Sequence, residues 1–499
     1  MFVVGAGHVP AQFKGLVSLR VGIEHAAKLA QKKLFLINEA LIQHYKCPEN
    51  IGGYEVSGEL SAEPGFFRFG GDVICHGHCA WHIPARHFSN AMPDLAEAWW
   101  ADRSVPRLPF DPTQIIENLR LERYVNQVNP NGSRMKRAAR RIAYTAYYAV
   151  RPVLPVSIRR VFQKAYLQGR KEALFPHRPV DSSVEAILEK LLVIALKAKG
   201  LDTVPFIWFW PKGASACAVI THDVEALLGR DFCSHLMDID DEFGVKASFQ
   251  IVPERRYPVP ETFLEAIRRR GFEVNIHDLN HDGHLYSEKA EFLRRVRLIN
   301  QYGRKYGALG FRSAVLYRRP DWLHALQFNY DMSIPNVAHM EPQPGGCCTL
   351  FPYFIGSILE MPVTTTQDYT LFHILRQYSV ELWKTQISLI QRRHGLISFI
   401  IHPDYIAKNK AQRVYKDLLG YLTHLRSTTN IWIALPREVD VWWRARSQMR
   451  LVQDAGQWLI EGPQRERACL AHAQLTNDRI TYRIEQPTGR GTTTFCQFC

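Results

Sequence analysis

Between about residues 206 and 445 short, wholly apolar runs alternate with amphipathic stretches, and no other feature of this 499-residue chain restricts its fold so strongly. The runs fall at 216–221, 247–252, 273–277, 308–312, 358–363, 396–402 and 431–435, with polar helical stretches such as 260–270 and 287–306 between several of them. A strand that is apolar on both faces has to be covered on both, which is the situation of a parallel sheet flanked by helices. The expectation is an α/β fold whose parallel sheet is either closed as a barrel or open.

The flanks read differently. With 46% hydrophobic and 22% charged residues the chain can fill more than one core, and its length predicts two or three domains. Residues 1–125 read as an N-terminal α+β region to which no function is assigned. There Ile23, Ala27, Ala30, Leu34, Ile37 and Leu41 lie at helical spacing, and Gly65 to Asp72 is strand-like and turn-rich. Residues 126–205 read as a basic helical connecting segment with a core helix at 187–196. Residues 446–499 carry short alternating strands at 457–461, 468–473 and 479–484, which predict a small β module. The closing Cys496 and Cys499 are only one pair, so a disordered tail is expected rather than a metal knuckle.

Cys75-His76-Gly77-His78-Cys79 places four zinc-type ligands within five residues, but so compact a cluster cannot easily wrap one tetrahedral ion, and a partly buried loop is expected. The ten cysteines show no spacing of a disulfide-stapled module, which fits a reducing compartment. The formal charge of +14 is concentrated, because residues 126–171 contain eleven Lys or Arg and no Asp or Glu. A basic stretch with Tyr144, Tyr147 and Tyr148 beside it reads either as a solvated face or, through residues 134–171, as a contact for an anionic membrane surface. Nucleic acid is not expected as a partner, since no nucleic-acid motif accompanies the charge. Residues 1–20 contain no charged leader with an apolar run behind it, and no uncharged apolar stretch reaches the roughly 18 residues of a membrane span. The expected location is cytoplasmic, peripheral at the membrane.

In a (β/α) barrel the reactive groups collect where strands stop, at the C-terminal rim. The first apolar run here leads into Thr221-His222-Asp223-Val224-Glu225, the third into His277-Asp278-Leu279-Asn280-His281, the fourth into Gly310-Phe311-Arg312, and a late one into Ile401-His402-Pro403. Two carboxylates, two histidines four apart, an arginine and a late histidine are thus predicted to share one rim.

These residues, in this order, resemble the NodB-homology polysaccharide deacetylases, carbohydrate esterase family 4, over about half the chain. Thr221 to Glu225 is similar to the first motif, usually Thr-Phe-Asp-Asp-Gly, with the two acids separated by one residue. Val224 stands where the usual pattern has its metal-binding aspartate. His277 to His281 matches the His-x-x-x-His metal motif, Arg312 the arginine of the third motif, and 396–403 the last motif with its histidine. Asn329-Tyr330-Asp331 is similar to the fourth motif without its tryptophan. The resemblance implies a distorted (β/α) barrel of the polysaccharide deacetylase type. It also implies a divalent metal, zinc first, on Glu225, His277 and His281, Asp223 as general base held by Arg312, His402 as general acid, and Asp331 orienting His402.

The chemistry calls for the same residue types. A metal on two imidazoles and a carboxylate retains positions for water and an acetamide oxygen, and it lowers the pKa of the one while polarising the other. The sugar nitrogen cannot leave as an anion and needs an acid to protonate it. The ligand set also suits cobalt and other divalent ions. The expected function is removal of N-acetyl groups from an amino-sugar polysaccharide or its precursor. Two other readings stay open: hydrolysis of another C–N amide bond, in a formamido sugar or cyclic ureide, and a silent carbohydrate-binding or scaffold domain.

Overall fold

The computed structural model describes residues 35–89, 91–128, 175–338, 340–485 and 495–498. The basic segment 134–171 and residues Ile23, Ala27, Ala30 and Leu34 of the expected N-terminal helix lie outside them.

Nine strands form the main sheet: β1 (Cys217–Val224), β2 (Ser248–Ile251), β3 (Glu273–His277), β4 (Gly310–Arg312), β5 (Tyr330–Asp331), β6 (Tyr353–Ile355), β7 (Ile358–Glu360), β8 (Leu396–Ile401) and β9 (Trp432–Ile433). Their order is β6-β7-β5-β4-β3-β2-β1-β8, and β9 pairs with the first two residues of β1. Every pairing is parallel except β6 with β7. The sheet curls as a distorted (β/α) barrel that does not close, with β6 and β8 at the two ends of the path. All eight residues of β1 and all six of β8 are buried, as strands covered on both faces must be.

The apolar runs marked the strands, and their ends moved where polar residues took up the ladder. β1 extends past its apolar run through His222, Asp223 and Val224, because those three residues pair with Phe249, Gln250 and Ile251 of β2. Asp223 therefore stands inside a strand rather than in a loop. β5 has two residues, too few to show a period, and did not register as a strand from sequence.

Helices α1 (Leu227–Glu242), α2 (Glu261–Arg269), α3 (Lys289–Lys305), α4 (Glu381–Gln391), α5 (Asn409–Thr428) and α6 (Pro436–Gln448) accompany the sheet. α3 shows the rule that shapes them: Phe292, Val296, Ile299 and Gly303 are buried at spacings of three and four, and of its cations only Arg295 is buried with them.

The N-terminal region has a four-stranded sheet in the order Phe35–Ile37, Gly53–Val56, Val105–Leu108, Trp100–Asp102, beside the hairpin Gly65–Arg68/Ile74–Gly77. Helical spacing toward Leu41 had predicted one continuous helix. Instead Phe35–Ile37 is a strand, and a separate helix, Glu39–Tyr45, begins after Asn38, whose side chain accepts from the Leu41 amide at 3.0 Å. An Asn able to cap that amide starts a new helix there. At the other end of the chain, Leu470–Thr476 and Arg479–Glu485 pair with Phe495–Phe498 on one side and with Thr203–Ile207 on the other. The expected disordered tail is thus corrected: Phe495–Phe498 is an edge strand, and pairing with a preformed neighbour supplies the order that its own sequence does not.

Helix Ser183–Lys199 joins these parts. Its buried Val184, Ile187, Leu188, Leu191, Leu192 and Ala195 face both the N-terminal helices and the C-terminal sheet, and one apolar cluster runs from Leu41 through β1 to Ile484. Among the described residues no helix is long and apolar enough to cross a membrane.

A buried ion pair fixes the N-terminal region to the barrel. Arg318 Nε lies 2.6 Å from Glu122 Oε2, a second contact joins its Nη2 to Oε1, and the two side chains are 0% and 5% exposed. Removing one member of such a pair leaves the other charged and dry, at a cost of about 3–5 kcal/mol. Glu122→Gln is therefore expected to lower unfolding stability in denaturant by about that amount, and Glu122→Gln with Arg318→Met should recover much of it. A loss below about 1 kcal/mol in the single variant would show that the pair does not hold the two parts together.

Candidate metal and catalytic site

The parallel register delivers the reactive groups. His277 pairs with Arg312, and His222 with Ile401 just before His402, so the C-terminal ends of β1, β3, β4 and β8 stand at one rim. Along β1 the side chains alternate. Thr221 and Asp223 face the site, where both meet Arg312, whereas His222 and Val224 face the helix layer. His222 Nε2 lies 2.9 Å from Asp240 Oδ2 of α1, and Tyr415 Oη donates to the same carboxylate at 2.6 Å. His222 is thereby a structural histidine.

Glu225, His277 and His281 converge, with one ligand atom of each within 4.8 Å of the others. Glu225 Oε1 is 2.8 Å from His281 Nε2 and 3.6 Å from His277 Nε2. Both Nε2 atoms are buried, and while that of His281 meets the Glu225 carboxylate, that of His277 has no carboxylate oxygen nearer than 3.6 Å and no hydrogen-bond partner. A dry imidazole nitrogen with no partner is costly unless its lone pair has an acceptor such as a cation. The His277 Nδ1–H donates to the Arg312 carbonyl at 3.2 Å, which leaves Nε2 as the lone-pair nitrogen. The loop that carries His281 is bent by left-handed backbone at Asp278 (φ 57°) and at His281 itself (φ 54°). A positive φ is uncommon for any residue but glycine, and such backbone gathers where geometry serves a site. The three side chains fit a divalent cation of the zinc type by donor set and by unsatisfied nitrogen.

Beside this cluster stand Asp223 and His402. Arg312, 0% exposed, donates through Nη1 to Asp223 Oδ1 at 2.7 Å and Thr221 Oγ1 at 2.6 Å, and through Nε to the Met332 carbonyl at 2.9 Å. Burial alone would raise the Asp223 pKa, but Arg312, His277 and His402 together hold it below the ordinary carboxylate value. Glu225 likewise stays well below, with the histidines outweighing its burial. His402 moves the other way: burial would lower it, and the charges of Asp368 and Glu225 raise it well above the ordinary histidine value. His402 Nε2 lies 3.3 Å from Glu225 Oε1 and Asp223 Oδ2 3.6 Å from His277 Nε2, so His402, Asp223 and the Glu225–His277–His281 cluster share one space.

The residue that orients His402 is corrected. Asp331 does not reach it: its Oδ1 accepts from Ser333 Oγ at 2.6 Å, and it shares a buried carboxyl pair with Glu360. Asp368 takes the place instead, with Oδ1 2.6 Å from His402 Nδ1 and Oδ2 accepting the His402 amide at 2.7 Å. Sequence reading missed it because the apolar run at 358–363 was not followed to its end. There Thr364, Thr365, Thr366 and Gln367 lead directly to Asp368, and Thr364 and Thr365 donate to the Leu396 and Ser398 carbonyls of β8 at 2.7 and 2.8 Å.

The Cys75–Cys79 cluster has no common centre. His76 Nε2 meets Gln127 Oε1 at 3.0 Å, His78 Nδ1 donates to the Ser61 carbonyl at 2.6 Å, and Cys79 Sγ donates to the His82 carbonyl at 3.4 Å. Burial pushes the Cys79 thiol up to about 11, away from the thiolate that zinc requires.

No protein-family model matches the chain, and no curated protein matches it. Solved structures do. A Mycobacterium smegmatis protein described as a polysaccharide deacetylase is 17% identical over 50% of this chain and 98% of its own, with a TM-score of 0.40. The PuuE allantoinase is 12% identical over 47% of this chain and 92% of its own, with a TM-score of 0.37. A Pseudomonas aeruginosa protein described as a polysaccharide deacetylase is 13% identical over 47% and 93%, also with a TM-score of 0.37.

The metal fit is testable without any substrate. One equivalent of zinc should bind in a competition titration, and His277→Ala, His281→Ala and Glu225→Ala should each weaken it by about 100-fold or more. Asp331→Asn should bind as the parent does. Affinity unchanged in all three ligand variants would dispose of the site.

Proposed function

We propose that this chain is a metal-dependent hydrolase of the polysaccharide deacetylase kind, related to carbohydrate esterase family 4, which removes N-acetyl groups from an amino-sugar polysaccharide or its precursor. One observation carries the reading. Asp223 and His402 face the same Glu225–His277–His281 cluster, and their surroundings push their pKa values in opposite directions, so one is a carboxylate and the other an imidazolium at neutral pH. Paired groups separated in this way supply a base and an acid at once.

A divalent ion on Glu225, His277 and His281, when bound, supplies Lewis-acid polarisation of the amide carbonyl and acidifies water. The chain's own groups do the proton work. Asp223 accepts the proton of the attacking water through the oxygen that Arg312 does not hold. Arg312 keeps that carboxylate ionised and fixes its plane. His402 gives its Nε2 proton to the departing sugar nitrogen, while Asp368 holds Nδ1–H and stabilises the charged ring. Beside His402 the ring of Tyr405 lies at 4.8 Å, with His373 and Tyr369 4.5 and 5.8 Å from Tyr405, an aromatic wall against which a sugar ring can pack. Intact acid, base and ligands speak against a silent scaffold.

The test is release of acetate from N-acetylated amino-sugar oligomers by zinc-loaded protein. Asp223→Asn and His402→Ala should each lose about 10²–10⁴ in turnover with metal retained. Asp368→Asn should move the alkaline limb of the pH profile downward, since the charge that raises His402 is gone. Release of formate or ring-opened ureide in place of acetate would assign the machinery to another C–N bond.

The segment 134–171, outside the described residues, belongs to this proposal as a contact for anionic membrane that places the enzyme peripherally on the cytoplasmic face. Co-sedimentation with anionic liposomes is expected and should fade with salt, as screening shortens to about 3 Å near 1 M. Indifference to lipid charge and salt would remove that element.

A further inference from the structure

Away from the metal cluster, a cavity of about 260 Å³ lies where the N-terminal region meets the barrel. The C-terminal ends of helices Glu39–Tyr45, Pro112–Arg120 and α6 line it together with β6, and the exposed Gln43 and Ser447 stand at its rim. Two guanidiniums, those of Arg120 and Arg446, face it, and no carboxylate does among the described residues. A third cation is close, since Lys46 Nζ donates to the Ser447 carbonyl at 2.7 Å.

Arg446 is 2% exposed and donates only to main-chain carbonyls: Ile207 at 2.7 Å, His44 at 2.8 Å, Trp208 at 3.0 Å and Gln43 at 3.4 Å. Those dipoles satisfy its N–H groups but bring no countercharge. Arg120 is less provided for. Its Nε is buried with no hydrogen-bond partner, and its guanidinium lies 5.3 Å from the centre of the Tyr353 ring. The carboxylate whose charge it feels, Glu185, is hydrogen-bonded through Oε1 to Thr349 Oγ1 at 2.5 Å and the Leu350 amide at 3.0 Å, while its Oε2 is buried without a hydrogen bond. Three helix C-termini contribute about half a negative charge each at most, and the carbonyls of one are already spent on Arg446. Arg120, Arg446 and the nearby Lys46 thus border a space large enough for a ligand against one nearby carboxylate, Glu185, and a buried charge is retained at a cost unless something pairs with it.

We propose that this cavity binds a phosphate-class oxyanion, hydrogen-bonded by the guanidinium of Arg120, with Arg446, whose N–H groups are engaged by carbonyls, contributing its charge. The planar fork of Arg120 matches phosphate oxygens two at a time, and such bonds are strongest where water is excluded. The rings of Phe354 and Trp443 line the remaining space and leave room for an organic group on the phosphate. Because both halves of the site come from different parts of the fold, the ligand stabilises their junction by binding only the assembled chain.

The experiment is thermal unfolding and isothermal titration of the full chain with inorganic phosphate, against sodium chloride at equal ionic strength. Tm should rise saturably with phosphate. Arg120→Gln, at a helix end, should abolish that rise, while Ser447→Asp, which sets a carboxylate at the rim, should raise Tm without phosphate and blunt the response to it. Equal Tm in phosphate and chloride, or a phosphate response that survives Arg120→Gln, overturns the proposal; zinc affinity, measured beside it, shows whether the variants are folded.

Discussion

Arg312 is the group on which the site depends. It is fully buried, crosses from β4 to β1, and donates through Nη1 to Asp223 and Thr221 and through Nε to the Met332 carbonyl. Burial would otherwise drive Asp223 toward its neutral form, so the guanidinium decides that a carboxylate exists at this depth. Its own carbonyl in turn receives the His277 Nδ1–H and the Asp278 amide, at 3.2 and 2.8 Å. One residue thus helps set the charge of Asp223, the tautomer of His277 and the start of the bent loop that brings His281 into place.

The same economy appears at the edges of the barrel. Buried cations join its neighbours to it: Arg318 reaches Glu122 of the N-terminal region, and Arg446 reaches the carbonyls of Gln43 and His44 on one side and of Ile207 and Trp208 on the other. The two differ in kind. Arg318 finds an opposite charge, so the pair is locally neutral, whereas Arg446 finds only dipoles and burial holds it down to about 9. A neutral pair completes a junction, and an uncompensated cation beside open space leaves it able to take up an anion.

Much of this was legible in the order of residues, for a physical reason. Parallel strands buried on both faces must be apolar, so polar residues at their ends are conspicuous, and Asp223, His277, Arg312 and His402 all sit at such ends. What was not legible depended on partners far away in the chain. Asp331 reads as an acid near a strand end, yet it pairs with Ser333 and Glu360, while Asp368, behind a run of threonines, takes His402. Which of two acids meets a histidine is decided by the neighbouring strand, and no local period records that. The tail at 495–498 is the same case, since its order comes from the edge of Arg479–Glu485.

Val224 tests whether the site is coherent without the aspartate that the related motif has there. Residues two apart on a strand point to the same side, and adjacent ones do not. Asp223 faces Arg312, so Val224 is directed at the helix layer and is fully buried there, where a carboxylate would have met apolar neighbours. Glu225 returns to the side of Asp223, and its longer side chain brings Oε1 within 2.8 Å of His281 Nε2 and 3.3 Å of His402 Nε2. The spacing Asp-x-Glu places both carboxylates on one face by the pleat alone, and the valine between them is what that alternation requires.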